Sequence, residues 1–499
     1  MKMNASEQQK PAHHPDYPER LLEFMRSGWS EAPAPQVVLL DHAFCHGRRR
    51  EQLSEAFPGD TLVVPTGREK VRNNDALYAF RPGSDFVWLT GEHDPDAVLV
   101  MRPNGDGHDA VLYARPRSPK ETDEFFRSPQ YGELWIGRRH SLAERGAMLG
   151  IETADLSELE KVLSDLDSDT TRVLRGHDAA VDAAIAAPEP AAADQDSSSD
   201  AAPKLSRDAE LAAVLSELRM VKDEWEIAQL TDAVTATVHG FEDVARVLPA
   251  DRSVSERLLE GVFGLRARHD GNEVGYSSIV AAGAHATTLH WIRNDGRTQP
   301  GELLLMDMGI ENRHLYTADV TRTLPVSGRF TDLQREVYQI VYASQQAGIE
   351  AVRPGVKFRD VNRVCMSVLA EGLEALGVLR CSADEALQAD SQLHRRWSLH
   401  GFGHMLGLDV HDCAAARKES YRDGALDEGH VLTVEPGLYF QSEDEMVPEE
   451  LRGIGIRIED DVLVTSSGAE VLSAGLPRKA DEVEKWLGEQ REKGPRLPD

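Results

Sequence analysis

Cysteine and long apolar runs are the features that this 499-residue chain has least of. Its four cysteines, Cys45, Cys365, Cys381 and Cys413, form no C-x-x-C pair, and this usage fits a reducing compartment. No run approaches the ~20 apolar residues of a membrane span. The polar N-terminal sequence MKMNASEQQKPAHHPDYPER contains no apolar core for export. We therefore expect a cytoplasmic protein without a membrane partner.

Positive charge and aromatic side chains are also in short supply. Lys and Arg number 55 against 85 Asp and Glu, and the formal net charge of −30 argues against nucleic acid or an anionic membrane as a partner. Aromatic residues make up 6% of the chain, so aliphatic residues and alanine must carry much of the packing. With 41% hydrophobic residues, a chain of this length can still bury two cores.

The apolar runs predict an α/β (α+β) protein with two domains. From Val37 to about Ile185, the strand-like runs TLVVP, FVWL, AVLVM and AVLYA alternate with helical stretches. The low-complexity segment 188–203 is too polar to pack and lies near the domain boundary. We expect an N-terminal domain at 1–206 that begins with a loosely packed arm, a second domain at 207–480 with helices near 227–241, 334–352 and 358–376, and a frayed, charged tail at 481–499.

Two aspartates in the second domain are the first candidates for a metal site. Asp307 lies in the apolar run LLLMDMG, which predicts a buried strand, and Asp319 lies in the Thr- and Val-rich run YTADVTRT, which predicts another. Both are equally distant from Arg313, so a hairpin folded there would place them opposite each other, with Cβ atoms roughly 5 Å apart. Carboxylates that close repel unless a cation separates them. An ordinary polar hairpin with exposed acids is the alternative.

Two glutamates occur in runs of strand character. Glu435 follows the apolar run VLTV and precedes Pro436-Gly437, which ends the strand, and a buried carboxylate there needs a partner such as an arginine or a metal. Glu459 lies in the alternating run GIGIRIEDD, where it shares a face with Arg457. An arginine at that position can orient a carboxylate ligand, whereas an exposed ion pair on an edge strand is the alternative.

Histidines and glycines are concentrated in HGFGHMLGLDVHD, residues 400–412. His400, His404 and His411 favour chemistry over a packing role because neutral imidazole is both a metal ligand and a proton carrier near pH 7. The glycines do not follow the dinucleotide pattern, and we expect them to let the backbone approach a crowded centre. With the four carboxylates, His404 would complete an oxygen-rich ligand set that suits Mn²⁺, Mg²⁺, Co²⁺ or Zn²⁺.

These motifs resemble those of the pita-bread metallopeptidases. From about residue 207 to 480, the candidate ligands follow the order Asp, Asp, His, Glu, Glu that is typical of that family. HGFGHMLGLDVHD, TVEPGLY and RGIGIRIEDD are similar to the branch that contains Xaa-Pro aminopeptidase (aminopeptidase P) and prolidase. FRPGSDFVWLTG at 80–91 resembles the N-terminal domain of the same branch. The resemblance implies an N-terminal α/β domain followed by a pita-bread catalytic domain.

The resemblance also implies a role for each candidate residue. Two divalent ions, with Mn²⁺ favoured over Co²⁺ and Zn²⁺, would be held by Asp307, Asp319, His404, Glu435 and Glu459. Asp319 and Glu459 would bridge the ions, and Glu435 would also transfer a proton. His290, in ATTLHWIRND, would contact substrate, His411 would stabilise the tetrahedral intermediate, and His400, Tyr439 and Arg457 would surround the site.

Two local features depart from the family pattern. The spacing from Asp307 to Asp319 is one residue longer than is common in the branch, and HDCAAARKESY replaces the usual HDVG run, which indicates a reshaped substrate loop. The resemblance implies a dinuclear aminopeptidase that releases the N-terminal residue from peptides with proline second. Prolidase, restricted to dipeptides, is the alternative, and a metal-free binding protein is a more remote one. We also expect a homo-oligomer, either a dimer or a tetramer.

Overall fold

The computed structural model describes residues 17–30, 37–186 and 205–498. The chain divides into two compact units, residues 1–215 and 216–499, and the division falls within the helix Arg207–Met220. The predicted low-complexity insertion at 188–203 lies outside the described residues, as does most of the predicted N-terminal arm before residue 17. Among the described residues, no helix combines the length and apolar character required to cross a membrane.

The first unit alternates short helices and strands. In chain order these are α1 (Glu19–Met25), α2 (Ala43–Ala56), β1 (Thr61–Pro65), β2 (Val71–Asn73), β3 (Ala76–Leu77), α3 (Ser84–Thr90), β4 (Val98–Pro103), β5 (His108–Ala114), α4 (Asp123–Arg127), α5 (Glu133–Ile136), α6 (Leu142–Leu149), β6 (Glu152–Asp155), α7 (Leu159–Ser164), β7 (Thr171–Val173) and α8 (Ala179–Ala184), followed by α9 (Arg207–Met220). A five-stranded sheet has the order β6-β5-β4-β1-β7. Its pairs β1–β7 and β5–β6 are parallel, and the others are antiparallel.

Three of the four predicted strands of this unit are confirmed, and the fourth is wrong. TLVVP forms β1, and AVLVM and AVLYA lie within or next to β4 and β5. FVWL instead belongs to helix α3, which begins after Gly83 and ends at the left-handed Gly91. Phe86, Val87, Trp88 and Leu89 are all buried. Periodicity cannot separate a short buried helix from a strand when every side is covered.

The predicted loose arm is also wrong for its described part. Residues Glu19–Met25 form α1, and Leu22 packs with Phe125 and Phe126 in a small apolar cluster. The two phenylalanines are separated from Leu22 by about a hundred residues, so local sequence did not reveal the contact that holds this helix.

The second unit carries two three-stranded sheets between long helices. Its elements are α10 (Glu224–Val247), α11 (Glu256–Asp270), β8 (Glu273–Val274), β9 (Ile279–Ala282), β10 (Leu303–Met308), β11 (Ile310–Glu311), β12 (Val320–Pro325), α12 (Asp332–Ala351), α13 (Phe358–Ala375), α14 (Ala383–Ala386), β13 (Val431–Val434), β14 (Gly437–Tyr439), β15 (Gly455–Arg457), β16 (Asp460–Thr465), β17 (Gly468–Val471) and α15 (Ala480–Lys493). The three-stranded sheets have the orders β12-β10-β9 and β13-β16-β17. Antiparallel ribbons pair β14 with β15 and β11 with β8.

The three helices predicted for this unit are confirmed by α10, α12 and α13. Helices α10 and α12 each begin with a capping box, in which the side chains of Asp223 and Thr331 accept from the backbone three residues later. Their apolar faces join one large core with strands β10, β12, β13 and β16. This shared core explains why the candidate ligands, which lie on those strands or next to them, meet at one place.

A buried arginine joins the two sheets beside the candidate ligands. Arg322 of β12 is 1% exposed, and its guanidinium donates to Asp460 Oδ1 at 2.7 Å and to the carbonyl oxygen of Glu459 at 2.6 Å. The predicted strand over GIGIRIEDD is interrupted at this point, because β15 ends at Arg457 and β16 begins at Asp460. Glu459 therefore occupies a short break between two strands, where its side chain can face Thr321 of β12.

The predicted frayed tail is wrong for most of its length. Residues Ala480–Lys493 form α15, in which Ala480, Val483 and Leu487 are fully buried. The helix packs against α10, and Arg491 donates to the carbonyl oxygens of Leu248 and Val326 at 2.8 and 2.7 Å. The charged residues occupy the exposed face, so average composition concealed an amphipathic helix.

Candidate metal centre

A cavity of about 670 Å³ in the second unit gathers the predicted site residues. It is lined by Asp307, Asp319, His404, Glu435, Glu459, His290, His400, His411 and Arg457, together with apolar side chains that include Ile279, Leu289 and Ile292. Tyr439 is buried behind this lining and contacts two of its members. Residues spread over 170 positions of the sequence therefore share one cleft.

The two aspartates are close, but their pairing differs from the predicted one. Asp307 of β10 pairs with Thr321 of β12, and Met308 pairs with Val320, so Asp319 lies just before β12 and is two residues out of register with Asp307. The turn is tightened by Asn312, whose side chain accepts from the backbone N–H groups of His314 and Tyr316 at 2.9 and 3.2 Å. The prediction of directly opposed aspartates is therefore wrong, because the turn does not centre on Arg313.

Tyr276 joins the two aspartates. Its hydroxyl lies 2.6 Å from Asp307 Oδ1 and 2.5 Å from Asp319 Oδ1, and burial followed by the nearby carboxylates raises its pKa well above the usual value. The hydroxyl proton can serve only one of the two oxygens at a time. Sequence reasoning missed Tyr276 because the run GNEVGYSSIV carries no ligand pattern, and only the pairing of β9 with β10 brings it to the site.

The loop around His404 runs alongside β13. The backbone N–H groups of Thr433 and Glu435 donate to the carbonyl oxygens of His404 and Phe402 at 2.8 and 2.6 Å. A Cβ atom at Gly403 would collide with the carbonyl of Thr433, and one at Gly407 with the carboxylate of Asp412. The expected role of glycine is thus confirmed at these two positions. At Gly401 the nearest atom would be an ordinary 3.6 Å from a Cβ.

Three ligand-type side chains converge at the base of the cleft. One ligand atom each from Asp319, His404 and Glu459 lies within 4.8 Å of the others. His404 Nε2 is 3.3 Å from Asp319 Oδ2 and 3.7 Å from Glu435 Oε1. The alternatives considered for these residues, an exposed polar hairpin and an edge-strand ion pair, do not fit, since Asp319 is 5% and Glu459 1% exposed.

Burial and mutual repulsion disturb the protonation of these carboxylates. Burial, followed by repulsion from neighbouring carboxylates, raises the pKa of Asp319 and of Glu459. Burial likewise raises the pKa of Glu435 to about 7, although His404 and Arg457 oppose the shift. Burial alone would lower the pKa of His404, but Asp319 and Glu435 outweigh it and raise that pKa to about 9. A positive charge at this centre would therefore stabilise the ionised form of these carboxylates.

Asp461 adds a further carboxylate that the sequence reasoning did not select. It is fully buried, its Oδ2 accepts from the backbone N–H of Asp319 at 3.1 Å, and its Oδ1 makes no hydrogen bond within the described part of the chain. Burial, with Asp319 next, raises its pKa well above the usual value. Its position two residues after Glu459 was visible in the sequence, but no feature of the run marked Asp461 as part of the site.

The donor set fits divalent cations. Asp307, Asp319, His404, Glu435 and Glu459 offer four carboxylates and one imidazole, which is the oxygen-rich chemistry of Mn²⁺, Mg²⁺, Co²⁺ or Zn²⁺ sites. Asp319 and Glu459 are buried carboxylates with raised pKa values, and Asp461 Oδ1 makes no hydrogen bond within the described part of the chain. Such features are expected of a centre whose negative charges are balanced by bound cations. Thr321 supports the set by donating to Glu459 Oε2 at 2.6 Å.

A hydrogen-bonded chain runs along one side of the ligands. Arg457 donates to Asp307 Oδ2 at 2.5 Å and to the hydroxyl oxygen of Tyr439 at 2.8 Å, and His400 Nε2 lies 2.7 Å from the same hydroxyl. His400 Nδ1 is also 3.5 Å from Glu435 Oε2. Burial, then Arg457, lowers the pKa of His400 to about 3, so this imidazole is neutral.

His411 and His290 lie at the outer part of the cleft. The ring of His411 is 4.3 Å from that of His404, measured between centroids, and burial followed by His404 lowers its pKa. His290 is exposed and is carried by the loop after β9. That loop is fastened by Glu256, which is fully buried and accepts from Trp291 Nε1 at 2.9 Å and the backbone N–H of Gly296 at 2.7 Å. A rigid loop thus presents His290 to the cavity.

Both units match known protein families. Residues 46–174 match the aminopeptidase P N-terminal domain, and residues 228–466 match metallopeptidase family M24. The chain belongs to metallopeptidase family M24, in the branch that carries the aminopeptidase P N-terminal domain. It is a metal-dependent hydrolase, and the predicted combination of an α/β domain with a pita-bread catalytic domain is confirmed.

Individual relatives are similar to this chain over most of its length. Xaa-Pro aminopeptidase 1 of Streptomyces coelicolor is 51% identical over 480 residues, which cover 96% of this chain and 94% of the relative. Xaa-Pro aminopeptidase of Escherichia coli is 34% identical, covering 88% of this chain and 96% of the relative. The solved structure of aminopeptidase P from E. coli with the inhibitor Pro-Leu superimposes with a TM-score of 0.76 at 30% identity, covering 90% of this chain and 99% of that chain.

Proposed function

We propose that this protein is a dinuclear-metal aminopeptidase that hydrolyses the N-terminal Xaa-Pro bond of peptides and releases the N-terminal residue. The observation that carries the proposal is the group of four carboxylates and His404, buried or half-buried in one cavity, combined with relatives named Xaa-Pro aminopeptidase. Asp307, Asp319, His404, Glu435 and Glu459 would hold two divalent ions, with Mn²⁺ favoured. When bound, such ions supply Lewis acidity and lower the pKa of a water molecule from ~15.7 towards 7.

Side chains of the cavity would then transfer the proton, stabilise the intermediate and bind the substrate. Glu435 lies between His404 and His400, at 3.7 and 3.5 Å, and would accept a proton from the attacking water and deliver it to the leaving nitrogen. His411 would donate to the oxygen of the tetrahedral intermediate, since its lowered pKa keeps the imidazole neutral with one N–H. The apolar side chains of Leu289 and Ile292 would pack a substrate whose proline ring carries no N–H.

Prolidase is the second candidate, and one observation favours the aminopeptidase over it. A further cavity of about 590 Å³ has His400, Gly401 and Gly403 in common with the lining of the cleft, and we infer that it would receive peptide beyond the proline. A dipeptidase has no use for that space. We further propose a cytoplasmic location, supported by four cysteines that are all free thiols, and retain the expected dimer or tetramer.

Metal removal and addition test the proposed function directly. Chelator-treated protein should lose its activity on Xaa-Pro-containing peptides, and added Mn²⁺ or Co²⁺ should restore activity and raise Tm, because ions that bind only the native state stabilise it. A hundredfold excess of free ion over Kd would add about 2.7 kcal/mol to the free energy of unfolding. Metal analysis, peptide hydrolysis and thermal melting of one preparation give the result. Full activity after verified metal removal would refute the dinuclear assignment, and a metal-free protein as purified would favour the binding-protein alternative.

The assignment of His411 to the intermediate makes a second prediction. His411→Ala should retain both metals while kcat falls by roughly 10²–10³, the loss typical of one oxyanion-stabilising donor. Metal stoichiometry and kcat with a short Xaa-Pro peptide provide the measurement. His239→Ala, which alters a half-buried histidine of α10 outside the cavity, is the matched control. Loss of a metal from His411→Ala would move this residue into the ligand set instead.

A further inference from the structure

One wall of the catalytic cleft is formed by the β9–β10 segment, residues 283–302, which connects those two strands. Leu289, His290 and Ile292 belong to this segment and line the cavity. The structure describes the whole segment, and apart from a short 3₁₀ turn at Gly283–Thr287 it contains no helix or strand. Ordering such a connection costs conformational entropy, so other contacts must hold it in one conformation. These contacts therefore decide where His290 lies in the cleft.

The carboxylate of Glu256 is the common partner of four donors on or next to this segment. Its Oε1 accepts from the backbone N–H of Ala282 at 2.9 Å and from His285 Nδ1 at 2.8 Å. Its Oε2 accepts from Trp291 Nε1 at 2.9 Å and from the backbone N–H of Gly296 at 2.7 Å. The backbone N–H of Glu256 donates in return to the carbonyl oxygen of Gly296 at 3.1 Å. One fully buried side chain thus ties the beginning of the segment to its far part.

The surroundings of Glu256 compensate its negative charge. Glu256 is the first residue of α11, where the N-terminal end of the helix dipole favours a negative charge. Each carboxylate oxygen has two donors, and His285 Nδ1 must carry a hydrogen because the carboxylate can only accept. A Cβ atom at Gly296 would collide with the ring of His285, so glycine at this position lets the backbone approach the pair.

Trp291 connects Glu256 with the cleft. The indole is 8% exposed, its ring stacks on that of His285 with 3.8 Å between centroids, and the guanidinium of Arg293 lies 4.5 Å from its centroid. His290 and Ile292 precede and follow Trp291 in the chain and are exposed in the cavity lining. Because the indole is held by a hydrogen bond and by stacked groups, the backbone that carries His290 and Ile292 is held as well.

A second anchor keeps the segment attached independently of Glu256. The side chain of Asn294, which is fully buried, accepts from the backbone N–H of Val280 at 3.0 Å and donates to the carbonyl oxygen of Ser278 at 2.9 Å. Glu256 takes no part in these bonds. Loss of the Glu256 contacts should therefore shift the residues around His290 without releasing the whole segment.

We propose that Glu256 is a positioning residue for peptide hydrolysis, which sets through Trp291 where His290 and Ile292 meet the substrate. This inference rests on the proposed function. Glu256 is absent from the cavity lining, so its effect on the reaction must pass through the residues that it holds. A wall that is fixed before the substrate arrives need not be ordered during binding, and a small displacement of residues that orient a substrate is costly in rate.

Glu256→Gln tests the proposal with little change in side-chain size. Whichever way the amide is turned, its NH2 group faces the backbone N–H of either Ala282 or Gly296, so at least one donor loses its partner. We expect kcat/KM for a short Xaa-Pro peptide to fall about tenfold, the effect of one hydrogen bond to a charged group, while both metals remain bound. Glu260→Gln, one turn further along α11, changes a half-buried residue outside the cavity lining and should retain the wild-type kcat/KM.

A double-mutant cycle with His290→Ala distinguishes positioning from a merely structural role. If Glu256 acts through His290, Glu256→Gln should lower kcat/KM only about threefold in the His290→Ala background, because the effects of coupled residues are not additive. The same cycle with Ile292→Ala gives a second measurement at the other residue beside Trp291. Trp291→Phe removes the indole N–H but keeps an aromatic ring. It should lower kcat/KM in the same direction, and it tests the same connection if Glu256→Gln does not fold.

The possible outcomes separate this inference from the proposed function. An unchanged kcat/KM in folded Glu256→Gln would overturn the positioning role alone, and so would equal losses in the wild-type, His290→Ala and Ile292→Ala backgrounds. Loss of a metal from Glu256→Gln would also overturn it, since the residue would then act on the metal centre. Failure of the metal-loaded wild type to cleave any Xaa-Pro peptide would instead overturn the proposed function.

Discussion

Glu435→Gln is expected to lower kcat by about 10³-fold or more, since general acid–base groups typically contribute 10²–10⁴. The substitution keeps the size of the side chain but removes its charge and its capacity to transfer a proton. Glu435 lies 3.7 Å from His404 Nε2 and 3.5 Å from His400 Nδ1, and thus between the two imidazoles. One metal should also bind more weakly, because a carboxylate ligand is replaced by an amide.

The measurement is kcat with a short Xaa-Pro peptide together with metal stoichiometry at saturating Mn²⁺. Glu428→Gln makes the same chemical change at an exposed residue shortly before β13 and should retain full activity. If Glu435→Gln kept both metals and lost less than tenfold in kcat, proton transfer would have to be reassigned to His400 or His411.

Asp412→Ala is expected to lower the free energy of unfolding by about 3–5 kcal/mol, the penalty for leaving a buried charge without its partner. Asp412 is 1% exposed and ion-pairs with Arg219 and, at 2.8 Å, with Lys222, which is 4% exposed. Burial opposes these charges, but Arg219 and Lys222 outweigh it and hold the pKa of Asp412 well below its usual range. A lowered carboxyl pKa contributes stability at neutral pH that is lost as the pH falls.

Denaturant unfolding of the wild type and the variant measures this loss. Asp390→Ala, an exposed aspartate after α14, should change the free energy of unfolding by less than about 0.5 kcal/mol. Addition of Lys222→Met to Asp412→Ala should recover part of the stability, because the unpaired ammonium group is then removed as well. Equal unfolding free energies for Asp412→Ala and the wild type would contradict the assigned ion pairs.

The ion pairs of Asp412 also link the stability of the fold to the loop that carries His411. Asp412 follows His411 directly, and Asp412 is the acid that leaves room only for glycine at position 407. The aspartate of the HDCAAARKESY run is thus a buried anchor of the loop, and the expected reshaping of the substrate loop stays a prediction. The neighbours of Asp412 in the sequence, His411 and Cys413, did not indicate that this acid is buried rather than exposed.

Strands with unambiguous apolar runs were predictable, and so were the candidate ligands beside them. LLLMDMG and VLTV formed β10 and β13 as expected, with Asp307 within β10 and Glu435 directly after β13. The structure of a segment that is buried on several sides was not predictable. In FVWL of α3, for example, every residue is apolar, so the run shows neither a helical nor a strand period. The frayed tail was predicted wrongly for the opposite reason. Charged residues dominate the sequence of α15, and its buried apolar stripe is narrow.

The sequence by itself determined the chemistry of this protein: which carboxylates and imidazoles are present, their order, and the short runs that identify their family. Only the tertiary structure decided their relations in space, including the two-residue offset of Asp307 and Asp319 and the arrival of Tyr276 between them. It also decided that Asp412 neutralises Lys222, 190 residues away, and that four arginines surround one cavity beside His400. Strand register and long-range pairing depend on how distant apolar faces pack, and that information is spread over the whole chain rather than written in any local pattern.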